Sequence, residues 1–78
     1  NMAVKIYPTY TSGLVFIEQD VNQKTECRVF DMSGKIVLQT NYSNNNTSID
    51  LSDKTKGCYF IQLAQNGKVF KTTRIIKR

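Results

Sequence analysis

The turn signals constrain this chain most. They recur roughly every 8 to 12 residues, they separate short alternating runs, and no stretch shows helical spacing of its apolar residues. Two signals stand out. Asp31-Met32-Ser33-Gly34 suits a type I turn closing a hairpin, with Gly34 in the left-handed region. Asn66-Gly67 suits a two-residue type I′ hairpin turn. Short strands punctuated in this way predict an all-β fold, an immunoglobulin-like antiparallel β-sandwich of about seven strands. A small closed barrel is the alternative. The cysteine–tryptophan–cysteine signature of antibody domains does not apply, because the chain has no tryptophan.

In order, Val4 to Tyr7 reads as a short strand ended by Pro8, which cannot donate to a ladder. Thr9 to Gly13 reads as a turn, with Gly13 free to take positive φ. Leu14 to Glu18 and Glu26 to Phe30 read as strands flanking a polar loop, Gln19 to Thr25. Lys35 to Thr40 returns from the first turn, and the asparagine-rich Asn41 to Asn46 reads as a loop or exposed bend. Its N-x-S/T triplets at Asn41, Asn45 and Asn46 read as loop chemistry rather than glycosylation. Ser48 to Leu51 alternates, and Ser52 to Lys56 crosses to the stretch Gly57-Cys58-Tyr59-Phe60-Ile61-Gln62-Leu63.

There Gly57 fits a position of positive φ or close backbone approach, and a period of two puts Tyr59, Ile61 and Leu63 on one face. In the last strand, Lys68 to Ile76, the alternation slips at Lys71, and a bulge restores it. Phe16, Phe30 and Phe60 fall opposite the apolar faces just assigned. An inverted register with the phenylalanines in the core is the expectation. Exposed together, they would form an interaction patch.

Seventy-eight residues, 40% of them hydrophobic, make one domain with a core of its own, residues 1–78. A chain this short buries only about 60% of the surface it exposes when unfolded. No apolar run approaches the roughly 20 residues of a membrane-spanning helix. Asn1 to Tyr10 lacks the basic start and apolar core of a secretory signal, so the chain is expected to come from a longer protein exported by a signal elsewhere.

Charge is distributed unevenly. Up to Asp53, four basic residues stand against six acids, and from Lys54 onward seven basic residues meet none, giving −2 and +7. Lysines on edge strands discourage unwanted pairing, which accounts for most of this block and leaves Lys77-Arg78 to explain. Nucleic-acid binding needs basic residues interleaved with aromatics, and only Phe70 between Lys68 and Lys71 fits, so no nucleic-acid partner is expected.

Catalysis is not expected either. Without histidine there is no Ser-His or Cys-His pair, and no glycine-rich phosphate loop occurs. Cys27 and Cys58 lack metal-ligand spacing and are expected as two buried free thiols, with no metal and no cofactor.

Five elements then line up in one order: Tyr7-Pro8-Thr9-Tyr10-Thr11-Ser12-Gly13, Val29-Phe30-Asp31-Met32-Ser33-Gly34-Lys35, Ile49-Asp50-Leu51-Ser52, Gly57-Cys58-Tyr59-Phe60-Ile61 and a basic C-terminus. From about Val4 to Arg78 the chain resembles the C-terminal sorting domain of proteins exported by the bacterial type IX secretion system. It departs from the family's pattern at Tyr10, where a second proline is usual, and at Lys54, where an apolar residue is usual.

The resemblance implies a seven-strand sandwich without enzymatic activity that serves as an address label. The outer-membrane translocon would recognise it on a periplasmic cargo carried upstream, and a surface sortase would then remove it. By the same resemblance, the recognition residues are Pro8, Gly13, Gly34, Gly57, Tyr59, Lys77 and Arg78, the last two pictured as a mobile basic tail. The competing expectation is an extracellular adhesion or carbohydrate-binding sandwich with an exposed aromatic platform.

Overall fold

The alternation in each run decides which residues point inward, and in a computed structural model of the chain it does so as a two-layer sandwich. The structure describes residues 3–20 and 22–78, so Asn1, Met2 and Val21 of the loop after Gln19 lie outside it. The strands are β1 (Val4–Tyr7), β2 (Tyr10–Thr11), β3 (Leu14–Gln19), β4 (Thr25–Phe30), β5 (Ile36–Tyr42), β6 (Asn46–Asp50), β7 (Gly57–Gln65) and β8 (Lys68–Lys77). One sheet has the order β1-β3-β6, the other β2-β8-β7-β4-β5. Neighbouring strands run antiparallel except β2 and β8, which are parallel. The longest dimension of the fold is 32 Å. That matches a ten-residue strand, β8, rising about 3.3 Å per residue.

Pro8 explains the extra strand. With no N–H it ends the ladder of β1 on β3, and after the cis Tyr7–Pro8 peptide bond the chain crosses to the other sheet. There Tyr10 and Thr11 pair with Ile76 and Lys77. The expected turn over Thr9 to Gly13 thus contains a strand, and the described residues form eight strands with one parallel pair. Loops expected from polarity are also shorter than read. Gln19 and Thr25 belong to strands, and the asparagine-rich segment narrows to residues 43–45 between β5 and β6.

Gln19 and Thr25 are buried, and they are satisfied by a network between the sheets. Gln19 Nε2 and Gln65 Nε2 donate to Thr25 Oγ1 at 3.2 and 3.1 Å, and the Tyr42 hydroxyl donates to Gln19 Oε1 at 3.2 Å. Burial, with the nearby Cys27 thiol, pushes the Tyr42 phenol up to about 12.

The core consists of Val15, Ile17, Ile49 and Leu51 from one side and Cys27, Val29, Tyr59, Ile61, Leu63 and Ile75 from the other. Aliphatic side chains from two facing sheets interdigitate in a layer about 10 Å thick. The expected inversion of register is therefore wrong. Phe30 and Phe60 are half-buried on the outer face of the larger sheet, and Phe16 is exposed on the outer face of the smaller one. The bulge falls where expected: Leu63 pairs with Lys71 but Ala64 with Val69, so Phe70 is the extra residue and packs against the core. The β7–β8 turn has φ 53° at Asn66 and 76° at Gly67, the type I′ signature.

Both cysteines are free. Cys27 pairs with Leu63, five residues along β7 from Cys58. At about 3.3 Å per residue that separation is roughly 16 Å, beyond the about 7 Å a disulfide spans. Only Cys27 is fully buried, and desolvation lifts its thiol to about 11. Cys58 is half-buried on the outer face, which corrects the expectation of two buried thiols. A thiol reagent at pH 8 is expected to modify Cys58 in the folded protein and Cys27 only after denaturation. Equal rates at both would contradict this assignment of faces.

Candidate functional site

Most of the sequence motifs meet at one end of the sandwich, where β7 begins and β8 ends. Gly57 pairs with Lys77 across the β7–β8 ladder, and Lys77 pairs with Thr11 on β2. The segment that leads into Gly57 carries the anchor of this end. Tyr59 is 4% exposed and points into the core opposite Ile75. Its hydroxyl donates to the Thr55 carbonyl at 2.7 Å and lies 3.2 Å from Thr55 Oγ1. A tyrosine that opens a strand and bonds the backbone a few residues upstream is the tyrosine corner of immunoglobulin-like sandwiches. Gly57 makes the corner possible, because its φ of 150° is one that L-residues rarely adopt.

Gly13 is constrained differently. It is not among the glycines with positive φ, contrary to expectation. A Cβ there would lie 2.9 Å from Ser52 Cβ and 3.1 Å from Asp50 Oδ1. The close approach lets the Gly13 carbonyl accept the Leu51 N–H at 2.9 Å. Thr11 shapes the same corner: its Oγ1 donates to the Leu14 carbonyl at 2.7 Å and accepts the Gly13 N–H at 3.0 Å. Asp50 Oδ1 accepts the Ser52 N–H at 2.9 Å, which holds the Asp50 carboxyl below its usual range.

The Asp31–Gly34 turn adjoins this end. The Gly34 N–H reaches the Asp31 carbonyl at 3.0 Å, and Gly34 has φ 87° as the sequence requires. Asp31 Oδ1 accepts from the Ser33 hydroxyl at 2.7 Å and from the Ser33 and Lys35 N–H groups at 2.9 and 3.0 Å. Those bonds, the Ser33 hydroxyl foremost, hold its carboxyl below the usual range. Between this turn and the Thr55–Tyr59 segment runs a surface groove of about 300 Å³, with Met32, Lys56 and Cys58 among its walls.

The basic end is ordered, not the mobile tail expected. The Ile76 and Arg78 N–H groups donate to the Thr9 and Thr11 carbonyls at 2.7 and 2.9 Å. Lys77 is 8% exposed, and its ammonium donates to the Arg78 carbonyl at 3.0 Å. Arg78 is exposed, with its guanidinium 5.7 Å from the centre of the Tyr10 ring. Of the two terminal residues, only Arg78 presents its charge to solvent. The structure thus brings Gly13, Gly34, Gly57, Tyr59, Lys77 and Arg78 to one end, with exposed Pro8 leading into β2 beside them.

This arrangement of motifs has a counterpart among known families. The family model of the secretion system C-terminal sorting domain matches residues 5–78. The chain belongs to that family. Among curated proteins none matches it. Membership makes the chain a type IX secretion sorting signal, acting for a cargo protein upstream that is exported to the cell surface or secreted. The family is one of sorting signals and is not known for catalysis.

Sequence reasoning missed Thr11, Thr55 and Asp50, whose hydroxyls, carbonyl and carboxylate fasten the loops of this end. The readable signals were Thr11 and Asp50 each two residues before a tight bend, a spacing at which such side chains bond the backbone. Tyr59→Phe keeps the ring and loses the bond to Thr55, so urea unfolding is expected to show a loss of about 1 kcal/mol. Tyr59→Ala is expected to lose about 3–5 kcal/mol, as for other large core truncations. Equal losses in the two variants would contradict the packing role of the ring.

Proposed function

We propose that this domain is a non-catalytic address label, the sorting unit of a longer secreted protein, read at its motif end by an outer-membrane translocon. A surface sortase then removes it from the delivered cargo. The observation that carries the reading is the gathering of the motifs at one end. The chain enters β1 at the other end, where Val4 pairs with Gln19 beside the Thr25 network. A cargo joined ahead of Val4 therefore leaves the motif end uncovered, because that end lies at the far ends of β1 and β3. Elements on a rigid scaffold suit recognition, because the partner does not have to order them on binding.

Within that end the recognition roles divide. Gly13, Gly57 and Tyr59 act through shape, by fixing the corner, and Pro8 and Gly34 set the adjoining turns. Lys77 holds the last rung in register, and Arg78 presents the charge. The domain passes through the periplasm folded, and its partners are the translocon, the sortase and the cargo, with no cofactor.

The test is a reporter carrying an export signal ahead of it and this domain behind it, expressed in a bacterium with the type IX system. Arg78→Glu is expected to lower surface delivery while leaving the thermal midpoint unchanged. Deleting Ile76 to Arg78 is expected to lower both, since it removes ladder rungs. Delivered reporter is expected to lack the 8.9 kDa domain. Full delivery of the Arg78→Glu fusion would overturn the role of the terminal charge, and delivered reporter still carrying the domain would overturn removal.

A further inference from the structure

The outer face of the five-stranded sheet carries a feature that stability does not explain. Ladder pairing puts Arg74, Phe60, Phe30 and Ile36 in one row across β8, β7, β4 and β5. The adjoining row holds Tyr10, Ile76 and Cys58, and Met32 of the turn lies beside Cys58 at the groove. Side chains directly opposite on neighbouring strands share a face. All of them point away from the core, since Val29, Tyr59, Ile61 and Ile75 point into it. Tyr10 is 63% exposed, Met32 70% and Ile36 44%. Phe30, Cys58, Phe60 and Ile76 are half-buried. An apolar surface thus crosses all five strands, next to the groove at the motif end.

The charge around it is mostly positive. Arg74 ends the first row, Lys56 lines the groove and Arg78 lies over Tyr10. None of the three forms an ion pair among the described residues, whereas Arg28 farther along the face is matched by Glu26 at 3.6 Å. Asp31 at the groove is engaged by Ser33 and Lys35 of its own turn. Two copies meeting through this face would bring their cations together, and the chain carries a net charge of +5, so a second copy is a poor occupant. The outer face of the smaller sheet offers no such rim, because there the Tyr7 hydroxyl donates to Glu18 and Lys5 stands opposite Glu18.

We infer that the outer face of the five-stranded sheet, centred on Phe30, Phe60 and Ile36 and rimmed by Arg74, Lys56 and Arg78, docks a protein partner that presents an apolar patch flanked by carboxylates. The inference rests on the sorting reading and deepens it: it assigns the surface by which the export machinery holds the domain. Desolvated aromatic and aliphatic side chains inside a charged rim are the usual make-up of a binding hot spot.

The test uses the same reporter fusion. The Met32→Glu/Ile36→Glu double variant puts acids on exposed positions of the face and is expected to cut surface delivery about tenfold or more. Arg74→Glu is expected to cut it less, and Leu14→Glu, on the outer face of the smaller sheet, to leave it within about twofold. Circular dichroism and thermal melts of the 78-residue chain check that each variant folds; Ile36→Thr with Arg74→Gln replaces any that does not. If the unaltered domain fails to deliver the reporter, the sorting reading itself falls. If it delivers and the folded face variants deliver equally well, this surface assignment falls alone. Sedimentation showing a dimer that Ile36→Glu dissolves would overturn it in favour of a second copy. Flotation with phosphatidylglycerol vesicles that Ile36→Glu abolishes would overturn it in favour of a lipid surface.

Discussion

Everything in this fold hangs on β7 being bonded on both sides. It pairs with β4 over Phe60 to Ala64 and with β8 over nearly its whole length. Its inward residues Tyr59, Ile61 and Leu63 fill the centre of the core. A central strand satisfies its backbone only if both neighbours are present, because a buried N–H or carbonyl without a partner is costly. The last strand of the chain is therefore a structural requirement of the middle one. A 78-residue chain has little stability to spare, on the order of 0.05–0.15 kcal/mol per residue, so loss of even a few rungs is felt.

That dependence joins the address to the fold. The sequence suggests a label in which a rigid body carries a loose charged end, and in the structure that charged end is bonded into the sheet. β2 accepts the final rungs, Lys77 is buried and Arg78 lies against Tyr10. A partner that reads this corner reads a shape that exists only once β8 has docked. Such a label distinguishes a folded domain from an unfolded one, a distinction that a linear tail cannot offer.

Much of this could be read from the residues. The turns at Asp31–Gly34 and Asn66-Gly67, the bulge near Lys71 and the inward set Tyr59, Ile61 and Leu63 each follow from a local rule, and local rules survive folding. What failed needed contacts distant in sequence. No pattern within Thr9 to Gly13 shows that Tyr10 will lie beside Ile76. Gly13 is required by Asp50 and Ser52, nearly forty residues later, rather than by its own φ. Large aromatics usually bury, which is why the sequence reads with the phenylalanines inside. Here β-branched aliphatics fill the space between the sheets and leave Phe30 and Phe60 outward. The polar loop ends Gln19 and Thr25 read as solvent-facing, and hydrogen bonds to Gln65, Tyr42 and the Gln23 carbonyl satisfy them in the interior.

Backbone hydrogen exchange at the end of the chain tests the central claim, that the terminal basic residues are part of the sheet. The amides of Ile76 and Arg78 donate to Thr9 and Thr11, so both are expected to be protected well beyond the rates of an unstructured peptide. Exchange at free-peptide rates in those two amides, while β7 stays protected, would show a detached tail on an otherwise intact sandwich and would contradict the account.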